Sequence, residues 1–137
     1  MKKSFVFLVF LVLAISCKET EFSPEGPTDV RIRNSTGKDF SNVIIKTSDY
    51  EEDETTIALI PVNSTTEYMR FKKAFPKLQF KADIQLGSTT QTISTGTVDF
   101  TYLHYLSTQR VTFDVVSYSA SGIPDLLLIP EEELVLK

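Results

Sequence analysis

The stretch Lys77-Leu78-Gln79-Phe80-Lys81-Ala82-Asp83-Ile84-Gln85-Leu86 decides the fold. Leu78, Phe80, Ala82, Ile84 and Leu86 alternate without a break against Gln79, Lys81, Asp83 and Gln85. Successive side chains of a strand point to opposite faces, so this period of two lines the apolar groups up against a core and leaves the polar ones to water. A helix of the same sequence would scatter them around its circumference. Gly87-Ser88 supplies hairpin-turn chemistry, and Thr89 to Thr95 reads as the returning strand, polar except for Ile93.

Outward from this hairpin the pattern recurs. Upstream, Val30 and Ile32 alternate with Asp29, Arg31 and Arg33 ahead of the turn residues Asn34-Ser35-Thr36-Gly37. Asn42 to Thr47 sets Val43 and Ile45 on one side and Ile44 and Lys46 on the other. Thr55 to Ile60 gives a third strand that Pro61 stops, and Asn63-Ser64 turns the chain into a fourth, from about Thr65 to Lys72. Downstream, Gly96 breaks the run and Val98, Phe100 and Tyr102 open another strand. Arg110 to Tyr118 alternates Val111, Phe113 and Val115 against Thr112 and Asp114, and Asp125 to Ile129 lies between Pro124 and Pro130. In the tail, Glu131-Glu132-Glu133 after Pro130 fits a helix start, whereas Leu134 to Leu136 fits an edge strand; a strand or extended tail is expected.

Helical spacing of apolar residues is not sustained over three turns anywhere behind Cys17, and Val, Ile and Thr abound where a helix prefers Ala and Leu. About seven to nine short strands with regular turn signals predict an all-β fold, an antiparallel β-sandwich over residues 28–137. This strand pattern resembles the immunoglobulin-like or transthyretin-like sandwiches of small Bacteroidetes lipoproteins. The chain has one Cys and no Trp, so the disulfide-and-Trp core of antibody-type domains is absent, and Phe80, Phe100 and Phe113 are expected to fill that space.

Composition agrees with a single domain. The chain has 137 residues, 42% hydrophobic and 23% charged, which excludes a disordered chain and a disulfide-stapled miniprotein. Its net charge of −4 argues against nucleic acid, because binding a phosphate backbone requires clustered Lys and Arg. The one basic cluster, Arg70 with Lys72 and Lys73, reads as a solvated strand edge or turn.

The amino-terminal segment has its own logic. Met1-Lys2-Lys3 is a positive start, and Phe5 to Ile15 is an uninterrupted apolar run well short of the ~20 residues of a spanning helix. Ser16 is a small residue at a peptidase position, so residues 1–16 read as a signal peptide. Losing Lys2 and Lys3 with it would move the net charge to −6. The lone Cys17 follows, with three candidate roles: a thiol for disulfide exchange, a packing residue, or a lipid attachment site. Lys18-Glu19-Thr20-Glu21 behind it is too polar for packing.

Leu13-Ala14-Ile15-Ser16-Cys17 resembles the lipobox of bacterial lipoproteins, with Ala14 where the box usually has Leu and Leu13 one place further back. The resemblance implies a diacylglycerol on the Cys17 sulfur, cleavage just before it, and attachment to the membrane through acyl chains. It places the protein in the bacterial cell envelope, as an outer-membrane lipoprotein. The charged tract after Cys17 is similar to that of surface-exposed Bacteroidetes lipoproteins, and it equally serves any tether that must stay solvated. Residues 17–27, with Pro24, Gly26 and Pro27, read as the acylated cysteine and a flexible spacer.

The search for chemistry yields little. One His and one Cys cannot build a zinc site of the usual kind, no Gly-rich phosphate loop is present, and no cofactor is expected. A Ser hydrolase would need His104 as its base; in Tyr102-Leu103-His104-Tyr105-Leu106 it reads as a structural or surface residue. The acidic run Asp49-Tyr50-Glu51-Glu52-Asp53-Glu54 is a weak Ca²⁺ candidate through Asp49, Glu51, Glu52, Asp53 and Glu54, but it lacks the Gly and ligand spacing of an EF-hand, and a solvated inter-strand loop is expected. Tyr50, Tyr68, Tyr102, Tyr105 and Tyr118 could stack on sugars or on a partner, with packing as their default role. The Asn-Ser-Thr triplets at Asn34 and Asn63 read as turns. The expected function is a non-catalytic binding or scaffolding module that meets an envelope protein or a glycan; a small envelope enzyme or enzyme inhibitor is the alternative.

Overall fold

The computed structural model describes residues 26–131. The expected signal peptide, Cys17, nearly all of the tether and the tail beyond Glu131 lie outside the described residues. Eight strands form: β1 (Thr28–Asn34), β2 (Phe40–Lys46), β3 (Glu54–Ile60), β4 (Met69–Phe71), β5 (Gln79–Leu86), β6 (Thr89–Ser94), β7 (Arg110–Tyr118) and β8 (Pro124–Pro130). They build two four-stranded sheets, sheet 1 in the order β4-β1-β7-β8 and sheet 2 in the order β3-β2-β5-β6. The all-β sandwich is therefore the observed architecture.

One pairing departs from the antiparallel expectation. β1 and β7 run parallel, with Val30 opposite Val111, Ile32 opposite Phe113 and Asn34 opposite Val115. Parallel neighbours need a long crossover. Here the crossover includes all of sheet 2, so the first strand of the domain becomes a central neighbour of the seventh.

The core sits between the sheets. Val30, Ile32, Val111, Phe113 and Val115 from sheet 1 meet Phe40, Val43, Ile45, Phe80, Ala82, Ile84 and Ile93 from sheet 2, all buried. Phe40 and Phe80 meet edge to face with centroids 5.6 Å apart. Each fully buried Phe, Ile or Val contributes roughly 1.5–3 kcal/mol, so this layer dominates stability. Phe80 and Phe113 take their expected places in this core, whereas Phe100 is buried outside it, stacked on Phe75.

Local chemistry explains the strand ends. Gly87 takes φ +67° at the first of the two residues between β5 and β6, as a type II′ hairpin turn demands. Leu86, beside that turn, is exposed despite its place in the alternation, while Leu78 is buried just ahead of β5. Asn42 at φ +50° accompanies a register shift between Ser41 and Ile44 in the pairing with β5. Asn34, fully buried, ties the sheets together. Its Nδ2 donates to the carbonyl oxygens of Lys38 (2.8 Å) and Ile60 (3.2 Å), and its Oδ1 accepts from the Thr36 amide (3.1 Å) and hydroxyl (2.8 Å).

Two expected strands are corrected. The fourth shrinks to Met69–Phe71, with a lone bridge from Thr65 to Arg33. Thr66 spends its hydroxyl on the Ile32 amide, so a side chain meets a donor that a strand's backbone would otherwise satisfy. Val98, Phe100 and Tyr102 form no strand at all. Asp99 Oδ1 accepts from the Thr101 amide (2.9 Å), the Leu103 amide donates to Phe100 O (3.3 Å), and Tyr102 adopts φ +65°, which together turn the chain. Phe100 points inward onto Phe75 (centroids 5.2 Å) while Tyr102 is 97% exposed, so the apparent alternation came from a loop that caps one end of the sandwich.

Candidate functional site

The acidic run forms the β2–β3 connection, with a 3-10 turn at Glu51–Asp53. It is not uniformly solvated. Asp53 is fully buried: its Oδ2 accepts from Ser48 Oγ (2.6 Å) and the Lys73 amide (3.2 Å), and its Oδ1 accepts from the Lys72 amide (2.8 Å). The loop is thereby stapled to the segment after β4. A buried carboxylate persists because amides and a hydroxyl replace its water. Glu52 stays outside and pairs with Lys72 Nζ at 3.2 Å. The hydrogen bond from its own backbone amide, with Lys72 adding to it, holds its carboxyl below the ordinary carboxylate range. Among the described residues no three His, Cys, Asp or Glu side chains gather around a point that could hold a metal, so Asp49, Glu51, Glu52, Asp53 and Glu54 are not brought together.

The basic cluster also divides. Arg70 and Lys72 are exposed, as expected of a strand edge. Lys73 is buried, its ammonium 4.6 Å from the Tyr50 ring centre and 5.1 Å from that of Tyr105. An ammonium over aromatic faces is attracted by their quadrupoles, so this lysine anchors two loops. Tyr105 also packs on Phe75 at 4.7 Å, and Tyr118 packs against the core. His104 is exposed in the loop that follows Tyr102.

A feature missed by the sequence analysis lies on the outer face of sheet 1. The strands of this sheet hold all four arginines of the chain and no lysine, whereas those of sheet 2 hold Lys46 and Lys81 and no arginine. Parallel pairing sets Asp29, Arg31 and Arg33 of β1 beside Arg110, Thr112 and Asp114 of β7. Arg33 grips Asp114 Oδ2 through Nε (2.9 Å) and Nη2 (2.7 Å), and Ser35 Oγ donates to Asp114 Oδ1 (2.6 Å). Arg70 grips Asp29 with two nitrogens, at 2.8 and 3.1 Å. That hydrogen-bonded contact holds the Asp29 carboxyl below its ordinary range and raises Arg70.

Tyr68 completes the face. The Arg31 guanidinium lies 4.6 Å and that of Arg110 5.2 Å from its ring centre. Burial pushes the Tyr68 phenol up, and its hydroxyl reaches Glu131 Oε1 at 3.4 Å. Arg31 Nε donates to Thr112 Oγ1 at 2.9 Å. At the end of the face a cleft of about 480 Å³ opens between Asp29, Arg70, Arg110 and Glu131, floored by Pro27, Gln109 and Pro130. The signal that could have found this arrangement was Arg31 and Arg33 at period two, together with Arg110 at the start of a strong strand.

Among the described residues no helix is long and apolar enough to cross a membrane. Comparison with known proteins adds one likeness. No family model matches the chain, and no curated protein does. The NMR structure of a protein from Eubacterium rectale is similar at 14% identity and a TM-score of 0.46, over 79% of this chain and 91% of that one.

Proposed function

We propose that this chain is a membrane-anchored lipoprotein of the bacterial cell envelope whose sandwich domain is a non-catalytic binding or scaffolding module. The observation that carries the anchor is the position of the lone Cys17, between the apolar run Phe5–Ile15 and a polar tract that leads within about ten residues to β1. Each acyl CH₂ buried in a bilayer contributes about 0.8 kcal/mol, so two or three chains hold the domain at the surface without a spanning segment. The binding role rests on the outer face of sheet 1, where side chains with large hydrogen-bonding capacity stand on the strands of a sandwich with a buried apolar core.

Mass analysis of the amino-terminal peptide from native membranes, with protease shaving of whole cells, tests the anchor. A mature chain that begins at an acylated Cys17 is expected, and Cys17→Ser should release it to the aqueous fraction. An unmodified thiol in a freely soluble product overturns the proposal. Turnover that disappears in His104→Ala would replace the binding role by an enzymatic one.

A further inference from the structure

We propose that Arg31 and Arg110, both held against the Tyr68 ring, form a carboxylate receptor on the outer face of sheet 1, and that its occupant is an acidic segment of a protein partner. This deepens the binding-module reading and rests on it.

The arginines divide into two kinds. Arg33 and Arg70 each have a carboxylate gripped by two nitrogens, Asp114 and Asp29. Arg31 has no carboxylate within 4 Å among the described residues; its contacts are the Thr112 hydroxyl and the face of Tyr68. Arg110 has only distant ones, Asp29 Oδ2 at 3.6 Å and Glu131 Oε1 at 3.8 Å. Two guanidinium groups, with N–H donors unused among the described residues, are thus fixed against one aromatic ring. Stacking removes much of the rotamer freedom that an exposed arginine would lose on binding, so the pair is organised before a ligand arrives.

The chemistry selects the occupant. A guanidinium fork matches a carboxylate with two parallel hydrogen bonds, which a lysine ammonium cannot do. Protein interfaces are enriched in Arg and Tyr and depleted of Lys, Asp and Glu; the Arg31–Tyr68–Arg110 group matches in a chain with more Lys than Arg, and the carboxylates of this face, Asp114, Asp29 and Glu131, are already engaged by Arg33, Arg70 and Tyr68. A headgroup layer is disfavoured by the neighbouring charge. The chain enters the domain where Gly26 abuts the Lys72 carbonyl, and Lys72 itself is paired to Glu52 of the acidic β2–β3 loop. That end mixes Asp29, Glu52 and Glu131 with Arg70, Lys72 and Arg110, so it offers an anionic membrane no uniformly basic patch.

The test is an NMR titration of the purified full chain with a capped hexaglutamate peptide, followed on the arginine Nε–Hε signals. Saturable shifts at Arg31 and Arg110, with Arg33 and Arg70 little moved, are expected. Arg31→Lys with Arg110→Lys keeps the charge and the fold but removes the forks, and should weaken binding about tenfold or more. Lys46→Ala with Lys81→Ala should change it less than about twofold. The proposal is overturned by absence of saturable shifts at millimolar peptide, by equal affinity of the lysine variant, or by shifts that only inorganic phosphate or phosphatidylglycerol nanodiscs produce. An envelope protein captured equally by the wild type and the lysine variant would keep the binding module and remove this receptor.

Discussion

Sheet 2 and sheet 1 share a core but are held on their outer faces by different means. Sheet 2 is all antiparallel, and its β5–β6 hairpin is closed by a two-residue turn. Its outer carboxylate Asp83 is met by neutral donors instead of a guanidinium, Asn42 and Thr92 donating to it at 3.0 and 2.7 Å. Sheet 1 contains the parallel β1–β7 pair, and its outer face is a lattice of guanidinium and carboxylate groups that buries Thr112 and Asp114 on the side away from the core. The contrast teaches that one sandwich can rest on local turn chemistry in one layer and on long-range charge pairing in the other.

The largest effect should be common to both layers. Phe80→Ala in sheet 2 and Phe113→Ala in sheet 1 should each lose about 3–5 kcal/mol in urea unfolding, because both rings fill the same core. A single transition in each variant supports one cooperative core; separate transitions would break the shared-core half of the comparison. The outer faces should then differ. Asp114→Ala strands the Arg33 guanidinium and the Ser35 hydroxyl and should cost about 2–3 kcal/mol, less than a fully buried pair because Arg33 is about a third exposed. The sheet 2 counterpart, Asp83→Ala, loses exposed hydrogen bonds and should cost under about 1 kcal/mol by the same measurement.

The turns sharpen the contrast. Gly122, at φ +82° after β7, sits where a Cβ would lie 2.9 Å from the Thr92 carbonyl oxygen, and the Gly122 carbonyl accepts from the Ser94 amide at 2.8 Å. Gly122→Ala should therefore cost about 2–3 kcal/mol in thermal unfolding and loosen the contact between the sheets. Gly87→Ala meets open space and pays only for φ +67°, about 1 kcal/mol.

Salt and pH give the smallest and most discriminating effect. Asp29 and Asp83 are both held below the ordinary carboxylate range, the first chiefly by its Arg70 hydrogen bond and the second chiefly by those from Asn42 and Thr92. A carboxylate depressed in the folded state contributes stability that is present above its unfolded value of about 4 and is lost as pH falls through the folded value. Both contributions should fade in that acid range. In ~0.5 M salt, carboxyl titration by NMR should move Asp29 back toward its ordinary value more than Asp83, since screening weakens the attraction of Arg70 and Arg110 for Asp29, whereas Asp83 is held mainly by uncharged donors with a smaller contribution from Lys81. Equal movement of the two would end the distinction between the faces.

Legibility from sequence follows the same division. The β5–β6 hairpin, β1 and the span Arg110–Tyr118 could be read from alternation and turn residues, because those signals are local. The parallel neighbour of β1 could not, because nothing within either strand encodes a register between segments 81 residues apart. For that reason Thr112 and Asp114, which alternate as solvent-facing residues, are buried beneath side chains from β1. Asp53 was hidden by its company: among adjacent acids nothing marks it, and beside the nearby Ser48 hydroxyl its partners are backbone amides about twenty residues along the chain. Phe100 was correctly assigned inside and Tyr102 wrongly placed on a strand, since period two cannot distinguish a strand from a turn with one residue in and another out. Cys17, the expected point of lipid attachment, lies outside the described residues.

The parallel β1–β7 ladder also means that sheet 1 can be completed only after β7 is available. A chain delivered amino end first presents β1 early, with only the three-residue β4 to accompany it until β7 arrives. Strands β2, β3, β5 and β6 are all available before then, so their two hairpins, joined through β2 and β5, can assemble first and offer Phe40, Ile45 and Phe80 as a landing surface. The closing β7–β8 hairpin then slides in as a bolt, fastening the oldest strand of the domain with the youngest.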